Sequence, residues 1–417
     1  MSWIAWGRNP IRSLGYEELF AAFLFAGAVK DTVVLSWLPF DLTLAFMAAS
    51  IGLGLRRLAL AHWTVTRAGL MGIAPMLVLV FYAGLSLIWS PSRDYSYTKF
   101  ALLAVSCGWA FIGSVVLAAS GEHAQFRFFR ACAIIATIVA CQFLALTSGL
   151  AMGATAHWSD TYLGYGRLFC MGFVIVLASG LWSDATGARL SVIFLALVPL
   201  GLGLLLGGGR GPLVALLVAS TIPVVRGLRM AGNRLMVEKR LVVLAAAFIV
   251  VSIAVLVLDP AGTHLKTVRR IVAFLTDGNP HSVGARLAYY RDSLEAWRDS
   301  PIWGVGLGGW PVKMGWGDVR GYPHNILLEV VVELGIIGLV LLVFILLLGF
   351  AAPLVSRSLP RRTVLTTVML VVAALVNASF SGDLTDNKML FGVVGLGIGC
   401  ATRRRQEAEV QVGAFAP

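Results

Sequence analysis

Long apolar runs recur along the chain, separated by short polar turns. A helix needs about 20 apolar residues to cross a bilayer. Twelve stretches approach that requirement, at about 17–36, 38–55, 70–90, 98–119, 128–149, 162–182, 190–207, 211–226, 241–258, 324–350, 363–380 and 386–402. The first includes Lys30 and Asp31, and the last is short and glycine-rich. The first run continues to about Trp37 without a small-residue cleavage site, so it reads as a retained helix rather than a removed leader. The predicted fold is an all-α polytopic membrane protein with about twelve spans.

Between the ninth and tenth runs the pattern changes. Residues 260–322 are polar, aromatic and glycine-rich, and form one large helical loop. The chain then divides into spans one to nine (1–259), the loop (260–322), spans ten to twelve (323–402) and a polar tail (403–417). Within the loop, Leu287, Tyr290, Leu294 and Trp297 recur at helical spacing, and Arg291 and Glu295 lie four apart. This predicts an amphipathic helix over the bundle.

Charge orients the spans. With an even number, both termini share one side, and the cytoplasmic turns are the ones rich in Lys and Arg. A cytoplasmic N-terminus puts 19 of the 33 Lys and Arg on the inside, among them Arg56, Arg57, Arg127, Arg226, Arg361 and Arg362. The short outer turns keep only Arg93, Lys99, Arg167, Arg210 and Lys388. The large loop is therefore expected outside, which is the periplasm if the cell is Gram-negative.

Composition agrees. The chain is 58% hydrophobic and 13% charged, against roughly 25% charged in soluble domains. The net charge of +12 reflects the inner turns, so nucleic acid is not expected as a partner, whereas membrane lipids are. Cys107, Cys132, Cys141, Cys170 and Cys400 all lie in apolar runs and read as small core residues. No metal motif, Walker loop or nucleophile elbow occurs, so no metal and no cofactor are expected.

Three outer groups carry possible chemistry. Arg210 closes a Gly207-Gly208-Gly209 turn and stands at a helix start, where the dipole is already positive. A cation there is poorly placed unless it binds an anion; the alternative is an arginine snorkelling to the interface. Arg286 follows Gly284 at the expected start of the loop helix and repeats that pattern. His324 follows Tyr322-Pro323 at the head of the tenth span, and an imidazole there suits general-base work on a hydroxyl or serves no chemistry at all. Glu329 and Glu333 share one helical face and read as structural. Arg291 reads as solvated. Asp383 and Asp386 occupy the last outer turn, where both have Lys388 as a nearby partner. Arg167 has no motif. Trp303, Trp310 and Trp316 read as interfacial anchors or as sugar-stacking surfaces.

His324-Asn325, with Leu327 and then Gly335, resembles the His-Asn-x-x-Leu…Gly signature of the O-antigen ligase and polymerase superfamily. The preceding Gly284-Ala285-Arg286, Trp297, Pro301 and Gly304-Val305-Gly306-Leu307-Gly308 resemble its upstream segment, and the Arg210 turn has a counterpart there. The resemblance implies transfer of O-antigen glycan from an undecaprenyl diphosphate carrier to a sugar hydroxyl of lipid A–core oligosaccharide, at the periplasmic face of the inner membrane. It implies a metal-independent, inverting reaction with the diphosphate on Arg210 and Arg286 and the acceptor on His324. Asn325, Arg291, Tyr322, Asp383 and Asp386 are its second-tier positions. Polymerases and protein O-oligosaccharyltransferases share the pattern. A transporter or flippase of a lipid-linked substrate is the rival class, but it predicts ionisable groups at the membrane midplane and repeat symmetry. A structural scaffold leaves Arg210, Arg286 and His324 unexplained.

Overall fold

The computed structural model describes residues 15–30, 38–60, 67–147, 158–181, 188–231, 234–237, 265–276, 281–356 and 359–413. In chain order the helices are α1 (Tyr16–Lys30), α2 (Leu42–Leu60), α3 (Arg67–Ser86), α4 (Asp94–Ala101), α5 (Gly108–Ala119), α6 (Glu122–Thr147), α7 (Trp158–Leu181), α8 (Ala188–Leu206), α9 (Arg210–Gly227), α10 (Lys266–Thr276), α11 (His281–Asp299), α12 (Trp310–Lys313), α13 (Ile326–Val355), α14 (Arg361–Phe380) and α15 (Lys388–Gly413). A π-helical turn, Leu102–Cys107, joins α4 to α5 into one rod. A 3-10 turn, Leu384–Asn387, precedes α15. Among the described residues, eight helices are long and apolar enough to cross a membrane. Eleven of the twelve expected spans fall on helices, and the ninth (241–258) lies outside the described residues. The chain is an all-α polytopic membrane protein. One small addition was not anticipated: strands β1 (Leu228–Ala231) and β2 (Arg234–Val237) pair antiparallel after α9.

A bilayer explains why these segments are helical, because each backbone N–H and C=O must be satisfied within its own segment. The outward side chains are apolar too, with Leu44, Phe81, Leu195, Val225, Phe344 and Leu347 all exposed, as a lipid-facing surface requires. The core lies between α1, α5, α7, α13, α14 and α15 and includes Phe20, Phe111, Phe169, Met369 and Phe391. Along α5 and α15 the backbones approach closely, with the α positions of Gly395 and Gly399 against the Phe111 and Val115 backbone.

The bundle has two chemically different ends. At one, Arg57 of α2 and Arg127 of α6 pair with Glu17 and Glu18 of α1, and Arg361 reaches the Arg226 carbonyl. At the other, the head of α4, the loop region 301–325, the head of α13 and the turn 381–387 are bonded together. Arg167, in the third turn of α7, and the head of α9 join them there, through Arg167 on Ser381 and Gly211 against Phe380.

Three sequence expectations change in place. Lys99 is not a turn cation; it is fully buried inside the α4 rod. Arg286 is not in a first turn, because α11 begins five residues earlier at His281. The stripe of α11 is also rotated. Leu287 and Leu294 are exposed, Trp297 of the expected stripe packs inward, and beside it the side facing the protein carries Tyr289, Ser293 and Ala296. These three are spaced four and three apart, so they form a helical face. It is chosen by the indole of Trp310, which donates to the Ser293 hydroxyl at 2.8 Å. A hydropathy count undervalues a serine in that role.

Candidate functional site

The motif residues are best understood from their backbone. Asn325 is the N-cap of α13, and its side-chain oxygen accepts from the Leu327 and Leu328 N–H groups at 3.0 and 3.1 Å. Those donors have no partner inside the helix, so the asparagine satisfies them. One residue earlier, His324 has φ 61°, and it is the one positive-φ residue besides glycine among those described. Such a conformation costs an L-residue about 1–2 kcal/mol. Held there by Pro323 and the Asn325 cap, the imidazole lies against Tyr322 (ring centroids 4.6 Å apart) and stacks on Tyr289 (6.1 Å). Its Nδ1 is buried without a hydrogen-bond partner. Burial first, and then the charge of Arg286, push the imidazole down to about 4, so it is neutral at physiological pH. A strained, neutral, unpaired imidazole has the attributes of a poised base.

Gly335 explains the far end of the motif. It breaks α13 with φ 65° and ψ −167°. The turn-rich segment 301–306 fills the break: Val305 N–H donates to the Val332 carbonyl, Gly306 N–H to the Glu333 carbonyl, and Ile336 N–H to the Pro301 carbonyl, all at 2.9 Å. Tyr82 of α3 donates to the Leu334 carbonyl at 3.0 Å. A Cβ on Gly335 would collide with the Ile302 carbonyl. The glycine-rich run is therefore a plug that satisfies an interrupted helix, which is the way irregular backbone is tolerated at membrane depth.

Below His324 lies a buried ion network. The Lys99 ammonium contacts Glu329 at 2.6 Å, Glu333 at 2.8 Å and Asp383 at 3.6 Å. Tyr95 donates to Asp383. Glu329 also accepts the Leu384 N–H at 3.0 Å. Asp383 caps the 3-10 turn, with Asp386 completing a capping box. Burial works against the charge of Asp383, but Lys99 and Tyr95 overcome it and hold the carboxyl below the usual range. Asp386 takes Arg320 at 2.6 Å, and the Arg320 guanidinium lies 5.7 Å from the Tyr322 ring centroid. The network thus runs from a buried lysine to the ring beside His324. Neither aspartate is ion-paired with Lys388, which lies over the Phe23 ring instead.

Arg210 is the first residue of α9 and lies 5.9 Å from the Phe274 ring of α10. The Gly208 turn before it is tied to α10, since Gly208 N–H donates to Thr267 at 2.8 Å and Arg270 donates to the Gly208 carbonyl at 2.9 Å. Arg286 is half-buried and close enough to His324 for its charge to be felt there. Arg291 is the outlier of the second tier: it pairs with Glu295 at 3.2 Å, with its side chain 79% exposed. Trp310 is fully buried and lies edge-on to Trp316 (4.9 Å) and Tyr289 (6.0 Å), so these rings wall the histidine's side of the site. Trp303 is 56% exposed and stands apart, against Trp89.

Two parts of the site escape the sequence reading. One is the role of Lys99. The hint was present as Tyr95 and Lys99 four apart, matching Glu329 and Glu333 four apart in an otherwise apolar span. The other is Asp318, whose carboxylate accepts from the Ser92 hydroxyl and the Arg93, Asp94 and Tyr95 N–H groups. An acid from the loop caps α4 from 223 to 226 residues away, and nothing local announces it.

Residues 195–343, which hold Arg210, Arg286, the plug and the His324 motif, match a family model described as O-Antigen ligase. No curated protein matches the chain.

Proposed function

Taking the chain as a member of the O-antigen ligase superfamily, we propose that it is a glycosyltransferase that moves O-antigen from undecaprenyl diphosphate to a sugar hydroxyl of lipid A–core oligosaccharide. The observation that carries this reading is His324: strained, neutral, with Nδ1 unpaired, within reach of the Arg286 charge and among aromatic rings. His324 takes the proton of the acceptor hydroxyl. The hydroxyl oxygen then bonds to the anomeric carbon from the face opposite the carrier. The bond from that carbon to the diphosphate oxygen breaks, and its electron pair leaves with the diphosphate. Arg210 and Arg286 hold the diphosphate, because a guanidinium fork matches phosphate oxygens and offsets the charge that develops. The two arginines supply that electrostatic stabilisation to the departing diphosphate without a metal.

Arg286 has a second effect. Its positive charge helps keep the free-state imidazole weakly basic. A bound diphosphate offsets that charge, so the donor raises the basicity of His324 when the acceptor needs it. Tyr289, Trp316 and Tyr322 offer faces on which sugar rings stack. The site end faces the periplasm of a Gram-negative inner membrane, following the arginine-rich turns at the opposite end.

Complementation tests the reading. Strains lacking either the O-antigen ligase or the polymerase receive this gene, and their lipopolysaccharide ladders are compared. Rescue of the ligase defect is expected. Rescue of the polymerase defect alone sinks the ligase assignment in favour of chain extension. His324→Asn keeps a residue that tolerates positive φ, so it is expected to fold and to lose transfer.

A further inference from the structure

We propose that Arg167 is a third arginine on the diphosphate, an assignment that rests on the donor reading above. Arg167 stands in α7, and its guanidinium donates to the Ser381 carbonyl and lies over Gly382, at φ 90°. Among the described residues no carboxylate lies within ion-pairing distance of it; Asp386 and Tyr322 act on it only from further away. A guanidinium has five N–H donors, and a single carbonyl engages one of them. None of the remaining nitrogens is sealed off as a buried unsatisfied atom. By contrast Arg291 and Arg320 at the same end already hold carboxylates, at 3.2 Å and 2.6 Å.

Its position is the second observation. Gly166, the preceding residue, abuts Pro212 in the first turn of α9, with a Cβ there only 2.7 Å from the Pro212 ring. On the other side, Gly211 meets Phe380, which precedes Ser381. Arg167 therefore stands where the Arg210 helix start meets the Ser381–Asp386 turn. That turn leads through Arg320 to Tyr322 and His324. An uncompensated guanidinium between the donor arginine and the acceptor histidine is placed for the phosphate nearer the breaking bond.

The test measures binding of inorganic pyrophosphate and of undecaprenyl diphosphate to the full chain in lipid nanodiscs. Arg167→Gln is expected to weaken both by about 10- to 100-fold, the range of one charge-assisted contact. Arg167→Lys is expected to restore part of the loss and serves if the glutamine variant does not fold. Unchanged binding in Arg167→Gln, with loss in Arg210→Gln, overturns the assignment and leaves the donor reading standing. No binding to the unmodified protein overturns the donor reading itself.

Discussion

Replacing Lys99 by methionine keeps the apolar stem and removes the ammonium from among three carboxylates. At an effective dielectric of about 20, the contacts at 2.6 and 2.8 Å each represent about 6 kcal/mol of attraction. The contact at 3.6 Å adds about 5 kcal/mol on the same scale. Desolvation of each buried ion cancels several kcal/mol of this. What remains visible is the cost of leaving carboxylates buried without their cation, about 3–5 kcal/mol. Lys99→Met should therefore lower the unfolding free energy of the detergent-solubilised protein by about that amount. The triple variant Lys99→Met, Glu329→Gln, Glu333→Gln should regain most of it, since neutralising the orphaned acids removes the penalty. The assay is equilibrium unfolding in a graded denaturing detergent, with Lys313→Met as a control for an exposed, singly paired lysine. A Lys99→Met loss no larger than the control would show that the network is wetter than its burial implies and would refute a penalty of this size.

Other consequences are equally specific. His324 is depressed to about 4, by burial and then by Arg286, so its folded pKa lies below its unfolded value near 6.5. Acidification between those values protonates the unfolded chain first and destabilises the protein, and transfer should persist down to pH 5; NMR titration of His324 should move upward, by part of the shift, in Arg286→Gln. Asp318 is held down to about 2, by the Ser92 hydroxyl above all. Its contribution is therefore present above pH 4 and lost as pH falls through 2, and Asp318→Ala should cost about 1–2 kcal/mol in the same unfolding assay, as loss of a helix cap does. Gly335→Ala places a Cβ against the Ile302 carbonyl at φ 65°; a loss of more than about 4 kcal/mol, seen as absent folded protein on size-exclusion chromatography, is expected.

The spans were legible because a bilayer imposes one rule on every segment, and an apolar run of the right length satisfies it without help from the rest of the chain. The α4 rod, α13 and α14 could be placed from hydropathy alone. The Arg210 helix start and the head of α13 were legible for a related reason: glycine turns, Pro323 and Asn325 are local signals, and Asn325 does locally what such a residue is expected to do. The face of α11 was not legible, because it depends on which partner it meets, and a buried Ser293 answering Trp310 has no hydropathic signature. The placement of Lys99 was misjudged for the same reason. Read one turn at a time, it is a cation near a helix start; only the meeting of α4, α13 and the 381–387 turn makes it the centre of a buried network. Sequence by itself determined the membrane architecture and nominated Arg210, Arg286 and His324, since length, polarity and local backbone chemistry are properties of contiguous residues. Tertiary structure decided the burial of His324 against Tyr289, the plug in the α13 break and the partners of Lys99, because each of these is set by residues from separate segments of the chain.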